Sequence, residues 1–244
     1  MNAYRLPMRW ADLDQLGHVN NVVYLAYAAE ARAALVAQGE LDPALRPVTT
    51  AIDFYRPLLL SRRPVIVEQR LDGDVLEQSV TQDVDGETVE FAAVRSQLGT
   101  PAALGAPRID GPRARFCGRR GDVDESGHVD AVRVFEYFQE ARIIAMAQGW
   151  SSGALGRMVV ARLEVDYGLP VPWRSEPWDM VSTITHIGSK SFTLECEWRD
   201  GPLVLARNRA VLVAFDVETQ SSRPMSDAER AYLDDFSSLA DPTP

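Results

Sequence analysis

The sequence predicts an α+β chain made of two copies of one unit, each a long helix laid against an antiparallel sheet of about five strands. Three observations carry this: a phrase that occurs twice, an apolar helical stripe after each copy, and runs of period-two alternation after each stripe. The phrase is DLDQLGHVN at 12–20 and DVDESGHVD at 122–130, an offset of 110 in a chain of 244 residues. Around it, 9–32 and 119–142 share Arg9/Arg119, Asp12/Asp122, Asp14/Asp124, Gly17/Gly127, His18/His128, Val19/Val129, Val22/Val132, Tyr27/Tyr137, Glu30/Glu140, Ala31/Ala141 and Arg32/Arg142, eleven of twenty-four positions. Identity that dense at one offset marks a duplicated unit. Farther on, DFYRP (53–57) aligns with DYGLP (166–170) and VDGE (84–87) with RDGP (199–202), the offset drifting to about 113 and 115 through small loop insertions.

Each unit opens with a short strand, about 3–10 and about 113–120, leading into the acidic loop. A helix of roughly five turns follows, over about 21–38 and about 131–148. Tyr24, Ala28, Ala31 and Leu35 fall at i, i+4, i+7 and i+11, and Val134, Phe138, Ala141 and Ala145 repeat the spacing, so one stripe of each helix faces a core. Alanines crowd the first helix, as suits a helix closely embraced by its sheet. Gly39 and Gly149 are expected to end the two helices. About four strands complete each unit. FTLECEW (192–198), for example, sets Phe192, Leu194, Cys196 and Trp198 on one face and Thr193, Glu195 and Glu197 on the other. DGD at 72–74 and DG at 85–86 and 200–201 are turns. The Gly-, Pro- and Ala-rich stretch 101–111 reads as a linker between a first unit at 1–100 and a second at 112–244 that includes a C-terminal extension.

An apolar content of 46% is enough to bury a core in each unit. The longest apolar runs are broken by charge well short of the roughly 20 residues that a membrane span needs. The opening residues lack the basic and then apolar order of a secretory leader, so a cytoplasmic protein with no membrane partner is expected. A net charge of -10 argues against a nucleic-acid partner, which would require a concentrated basic face. Cys117 and Cys196 form no CxxC pair and read as small apolar residues. His18 and His128 have only carboxylates nearby, so neither a metal nor another cofactor is expected.

An Asp-rich loop before a helix has an ordinary structural explanation, a turn with Asn20 or Asp130 capping the helix. Its recurrence with glycine and histidine in register favours chemistry instead. The first turn of a helix presents unpaired N–H groups and about half a unit of positive charge, which polarises a carbonyl aimed at it. A neighbouring carboxylate can activate water or attack the carbonyl carbon. Gly17 and Gly127 are expected to let the backbone approach closely, with no room for a Cβ. The two histidines are expected to position the loop through a ring hydrogen bond, and Glu30, Glu140, Tyr27 and Tyr137 to be structural.

RWADLDQLGHVNNVVYLAYAAEAR (9–32) resembles the opening of acyl-CoA thioesterases of the 4-hydroxybenzoyl-CoA thioesterase type, which have the hotdog fold; IDFYRPL and HIGSKSFTLECEWRDG fit the same family's strands. The resemblance covers nearly the whole chain, taken twice. It implies a tandem double hotdog, the two units pairing as separate subunits do in single-unit relatives. That leaves either a monomer with an internal pseudo-dimer or a homodimer of tandem chains. It implies hydrolysis of acyl-CoA to free acid and CoA, a role in lipid metabolism. The family's catalytic carboxylate maps to Asp14 and Asp124, and its backbone N–H donor to Asn21 and Ala131. Gly17 and His18 complete the first loop. GHVDAVRV in place of GHVNNVVY puts activity of the second unit in question and favours the first. Arg56, Arg62, Arg63 and Lys190 are candidates for the CoA phosphates. The alternatives are a non-hydrolytic acyl-CoA sensor and an acyl-ACP thioesterase.

Overall fold

In the computed structural model, which describes residues 2–15 and 17–238, the chain divides after Pro101 into two compact units. The first contains β1 (Asn2–Leu6), a 3-10 turn at Trp10–Asp12, α1 (Asn21–Ala37), β2 (Arg46–Phe54), β3 (Val65–Asp72), β4 (Val75–Val84) and β5 (Glu87–Gly99). Its strands pair antiparallel in the order β1-β3-β4-β5-β2, and α1 packs on β1, β3, β4 and β5. The second repeats the plan with β6 (Arg113–Phe116), a 3-10 turn at Arg120–Asp122, α2 (Ala131–Ser151), β7 (Met158–Tyr167), β8 (Trp178–Ile187), β9 (Ser191–Asp200) and β10 (Leu203–Asp216). Here the order is β6-β8-β9-β10-β7. A short β11 (Ser221–Ser222) pairs with β10, and a C-terminal helix, α3 (Asp227–Ser238), packs on β8. Each unit is a hotdog, a central helix held by an antiparallel sheet, and the chain is a tandem of two. No helix among the described residues is long and apolar enough to cross a membrane.

The apolar stripe of α1 is buried as its spacing predicts, at Tyr24, Ala28, Ala31 and Leu35. Leu35 packs with Leu41, Leu76 and Leu98. The alanines bring the sheet near enough to reach the helix backbone. Gln69 Nε2 donates to Ala31 O at 2.8 Å and Gln78 Nε2 to Ala28 O at 2.7 Å, while Gln78 also donates to Gln69 Oε1 at 3.1 Å. Carbonyls already inside the helix ladder thus take a second donor, which satisfies two buried amides. Facing each other at the matching place on β8 and β9 are Ser182 and Cys196. There the helix supplies the polar group: Arg142 of α2 is buried, and burial lowers its pKa to about 10. Burial also pushes the Cys196 thiol up to about 12, so it is kept in the unreactive protonated form.

Three details differ from the pattern read along the chain. β1 stops at Leu6, ahead of Pro7, which has no N–H for the ladder, and β6 stops at Phe116; the residues expected to extend them lead into 3-10 turns. Gly39, with φ +73°, does follow the end of α1, but Gly149 lies inside α2. A Cβ on Gly149 would stand 2.7 Å from the Tyr232 ring and from Leu155, so glycine is there to admit α3, and Gly153 with φ +74° ends the helix one turn later. Finally, β9 is covered on both faces, with Thr193 and Glu197 buried along with the apolar set.

The cover on that second face is the segment 104–109. Arg108 N donates to Glu197 Oε1 at 3.0 Å, Arg207 donates to Leu104 O and Ala106 O at 2.9 and 2.8 Å, and Arg199 donates to Ile109 O. Glu197 sits between the two arginines, 2.6 Å from Arg199 and 2.9 Å from Arg207. Net of desolvation such a triad contributes little to stability, but losing one member would leave a buried charge uncompensated at a cost of about 3–5 kcal/mol.

A second buried acid fixes the C-terminal extension. Glu229 of α3 pairs with Arg223 at 2.6 Å and accepts from Ser226 N at 2.7 Å and Gly156 N at 3.0 Å. The Arg223 bond, helped by these N–H donors, lowers its pKa to about 2. A depressed carboxylate contributes stability that is fully present above its ordinary value near 4.5 and is lost as pH falls through about 2, here on the order of 3 kcal/mol. Acid titration of thermal unfolding is expected to show this loss in the parent chain and not in Glu229→Gln, which should be weaker at neutral pH and flatter below pH 4.5.

Candidate active site

Each acidic loop is a miniature antiparallel ribbon. In the first unit Asn20 N donates to Asp12 O at 2.9 Å, Asp14 N donates to His18 O at 2.7 Å, and Leu13 faces Val19. One edge extends to the loop after β2, where Val19 N donates to Leu58 O at 2.9 Å and His18 faces Leu59. The second unit reproduces this with Asp130 N to Asp122 O at 2.9 Å, Asp124 N to His128 O at 2.7 Å and Val129 N to Val171 O at 2.8 Å. The ribbon turns at Gly17 and Gly127, with φ of +75° and +80°. Apart from the adjacent residues of the chain, no atom of the described residues lies within 4 Å of where their Cβ would be, so the glycines serve the left-handed backbone of the turn and not the close approach expected of them.

The two aspartates of each DxD do different work. Asp12 Oδ2 accepts Arg9 N–H at 2.7 Å and the Tyr27 hydroxyl at 2.7 Å; Asp122 Oδ2 accepts Arg119 N–H at 2.8 Å and the Tyr137 hydroxyl at 3.0 Å. Burial and the bond to a carboxylate push both phenols well above the ordinary tyrosine value. Asp12 and Asp122 therefore tie each loop to its helix. Asp14 and Asp124 lie nearer the turn, half-buried, and each takes the histidine backbone N–H on Oδ1 at 3.1 Å.

The helix starts are equivalent despite the change of sequence. Asn20 Oδ1 caps Val22 N at 3.1 Å and Asp130 Oδ1 caps Val132 N at 2.9 Å. Asp130 thus does the capping work of Asn20. Asn21 and Ala131 are the first residues of α1 and α2, where an N–H has no partner within its own helix. The Asn21 side-chain Oδ1 is buried and accepts no hydrogen bond from the described residues.

The loops differ in what supports them. In the first unit the Tyr24 hydroxyl accepts Leu58 N–H at 2.9 Å, holding the segment after β2 that flanks the loop, and Tyr24 stacks edge-on against Phe54 at 5.4 Å. Burial, with Asp14 nearby, pushes the Tyr24 phenol up to about 12. Val134 takes this position in the second unit. That unit has Ser126 instead, whose N and Oγ both donate to Asp124 Oδ1, at 2.9 and 2.6 Å, while Oγ stands 2.8 Å from His128 Nδ1. With the serine O–H donated to Asp124, its oxygen is left to accept a hydrogen bond from His128 Nδ1. The ring hydrogen bond expected of the histidines is present at His128. Neither Ser126 nor Asp12 was marked by the sequence reading; the signal for Asp12 was Tyr27/Tyr137, identical in both copies at a constant distance from it.

The basic candidates belong to both units. Arg56, Arg62 and Arg63 are exposed in the loop after β2, on the side that pairs with His18, and Arg63 is bound to Asp85 at 2.7 Å. Lys190 lies past the far end of β8, about 30 Å of strand from Trp178 at the loop end, and its Nζ reaches Ser222 Oγ at 3.5 Å. Glu30 and Glu140 are exposed on their helices. A shallow cavity of about 170 Å³ in the second unit, lined by Arg108, Glu164, Asp166, Glu195 and Arg209 among others, lies beside the 104–109 segment. No group of three or more His, Cys, Asp or Glu able to hold a metal occurs among the described residues.

Replacing Tyr24 by Phe keeps the ring but strands a buried N–H at Leu58. Denaturant titration is expected to show about 1–3 kcal/mol less stability for Tyr24→Phe than for the parent chain.

The fold recurs in known proteins. Over 86% of this chain and 97% of its own, an acyl-ACP thioesterase from Bacteroides thetaiotaomicron superimposes with a TM-score of 0.61 at 13% identity. A 12:0-ACP thioesterase from Umbellularia californica does so over 92% of this chain and 94% of its own, with a TM-score of 0.63 at 12% identity. At such identities the likeness is one of fold. No curated protein matches the chain by sequence. The thioesterase-like superfamily matches residues 8–88 and again 119–233, one stretch in each unit. The chain belongs to the thioesterase-like superfamily.

Proposed function

We propose that the chain hydrolyses acyl-CoA thioesters, and that Asp14 with the N–H of Asn21 is its working site. The observation that carries this is the ribbon of the first unit. It holds a half-buried carboxylate on one arm while the other arm runs, one residue past the Asp12–Asn20 rung, into the open N–H at the start of α1. A carbonyl oxygen at that helix start meets a donor and the positive end of the helix dipole, both of which favour the oxyanion over the neutral carbonyl. Asp14 either takes the proton of an attacking water or attacks the carbonyl carbon itself to give an anhydride that water opens. Both routes release a free acid and a thiol. Gly17 gives the turn its left-handed backbone, and the His18 N–H orients the Asp14 carboxylate. Arg56 and Arg62, exposed beside the loop, are suited to phosphate groups of coenzyme A. Asp124 and Ala131 keep the same backbone frame, with the Ser126 hydroxyl added on Asp124 Oδ1; GHVNNVVY, the fuller match to the family's opening, favours the first unit.

Two of the structures that superimpose across both units are described as acyl-ACP or 12:0-ACP thioesterases, which favours a carrier-protein thioester as the second reading of the substrate. Thiol release from a panel of acyl-CoA and acyl-ACP substrates tests both. Asp14→Asn is expected to lower kcat by about 10²–10⁴ with its fold intact, and Asp124→Asn by no more than a few fold. Full turnover in Asp14→Asn, or loss only in Asp124→Asn, would remove the assignment.

A further inference from the structure

Beside the first acidic loop lies an apolar surface that the hydrolytic reading does not use. Trp10, in the 3-10 turn before the loop, is 81% exposed, and Leu59 and Leu60, across the His18 edge, are 57% and 43% exposed. The second unit shows what closing this place looks like. There the residues in register with Trp10 and Leu60 are Arg120 and Trp173, and they stack, the guanidinium 4.0 Å over the indole, with Trp173 Nε1 donating to Gly118 O at 3.3 Å. Trp173 is thus pinned and half-buried in one repeat, whereas Trp10 and Leu60, at the positions of Arg120 and Trp173, are both exposed in the other. Apolar side chains left in water forgo the free energy that burial would return, and a contiguous exposed apolar patch marks an interaction surface.

We propose that this patch docks the first unit onto an anionic phospholipid surface. Charge selects the occupant. The chain as a whole carries -10, yet the exposed charged residues next to these side chains in the chain are arginines, Arg9, Arg56, Arg62 and Arg63; Arg63 is paired with Asp85, the carboxylates Asp12 and Asp14 of the loop are half-buried, and neither Arg56 nor Arg62 is paired with a carboxylate among the described residues. An outward indole, two leucines and a rim of guanidinium groups match the layers of a bilayer edge. Indole rings settle at headgroup level, aliphatic tips reach the acyl boundary, and arginines meet phosphates. No membrane partner is expected from the sequence because that reading looks for a span or a leader; a patch assembled from residues 10 and 59–62 makes no continuous run.

Sedimentation of the full chain with phosphatidylcholine vesicles, with and without phosphatidylglycerol, tests this independently of any hydrolysis. Binding is expected with the anionic vesicles, falling as salt is raised. Trp10→Ser combined with Leu60→Ser should weaken it about tenfold or more while circular dichroism stays unchanged, because both side chains are already in water. Arg56→Gln with Arg62→Gln should weaken it by a similar factor. No sedimentation, equal binding to neutral vesicles, or binding that survives both double variants would overturn the proposal. So would an acyl carrier protein that binds through the same residues when vesicles do not.

Discussion

A single carboxylate oxygen shared by two donors sets the geometry of each loop. Asp12 Oδ2 takes the Arg9 N–H from the chain just before it and the Tyr27 hydroxyl from the second turn of α1. Those groups are far apart in sequence and come from the two elements whose relative position matters, the loop and the helix. With Asp12 fixed, its own carbonyl is placed to take Asn20 N, the ribbon closes, and Asn20 is left to cap the helix. A charged acceptor suits this task, since hydrogen bonds to a carboxylate are about twice as strong as those between neutral groups. The same bonds rebuild the same loop around Asp122.

The duplicated plan, both helices and most strands were legible in the sequence, because patterns of period two and period 3.6 record which face is buried. The division of labour within DxD was not. Asp12 and Asp14 are chemically identical, and only the tyrosine fifteen residues on from Asp12 tells them apart. Gly149 misled for a similar reason. A glycine near the end of a helical stripe looks like a stop, whereas here it makes room for Tyr232, which is distant in sequence. Glu197 alternated as a solvent-facing residue should, and its burial depends on a segment about ninety residues earlier.

The repeats kept their backbone and exchanged their polar interiors. The first solves the helix–sheet contact with two glutamines from the sheet, the second with an arginine from the helix beside a thiol. The first braces its loop with the Tyr24 hydroxyl, the second with Ser126. Both exchanges leave the backbone frame of the repeat in place, so one copy can drift in chemistry without losing its fold.

The clamp on residues 104–109 bears on how the second repeat can be handled as a separate piece. A fragment begun at Gly111 or Pro112, where the strand pattern resumes, would discard the backbone groups that Arg199 and Arg207 grip, opening a buried acid to water. One begun just after Pro101 retains them. The compact second unit thus starts about ten residues earlier than its first strand, and the Gly-, Pro- and Ala-rich stretch packs with the unit it precedes.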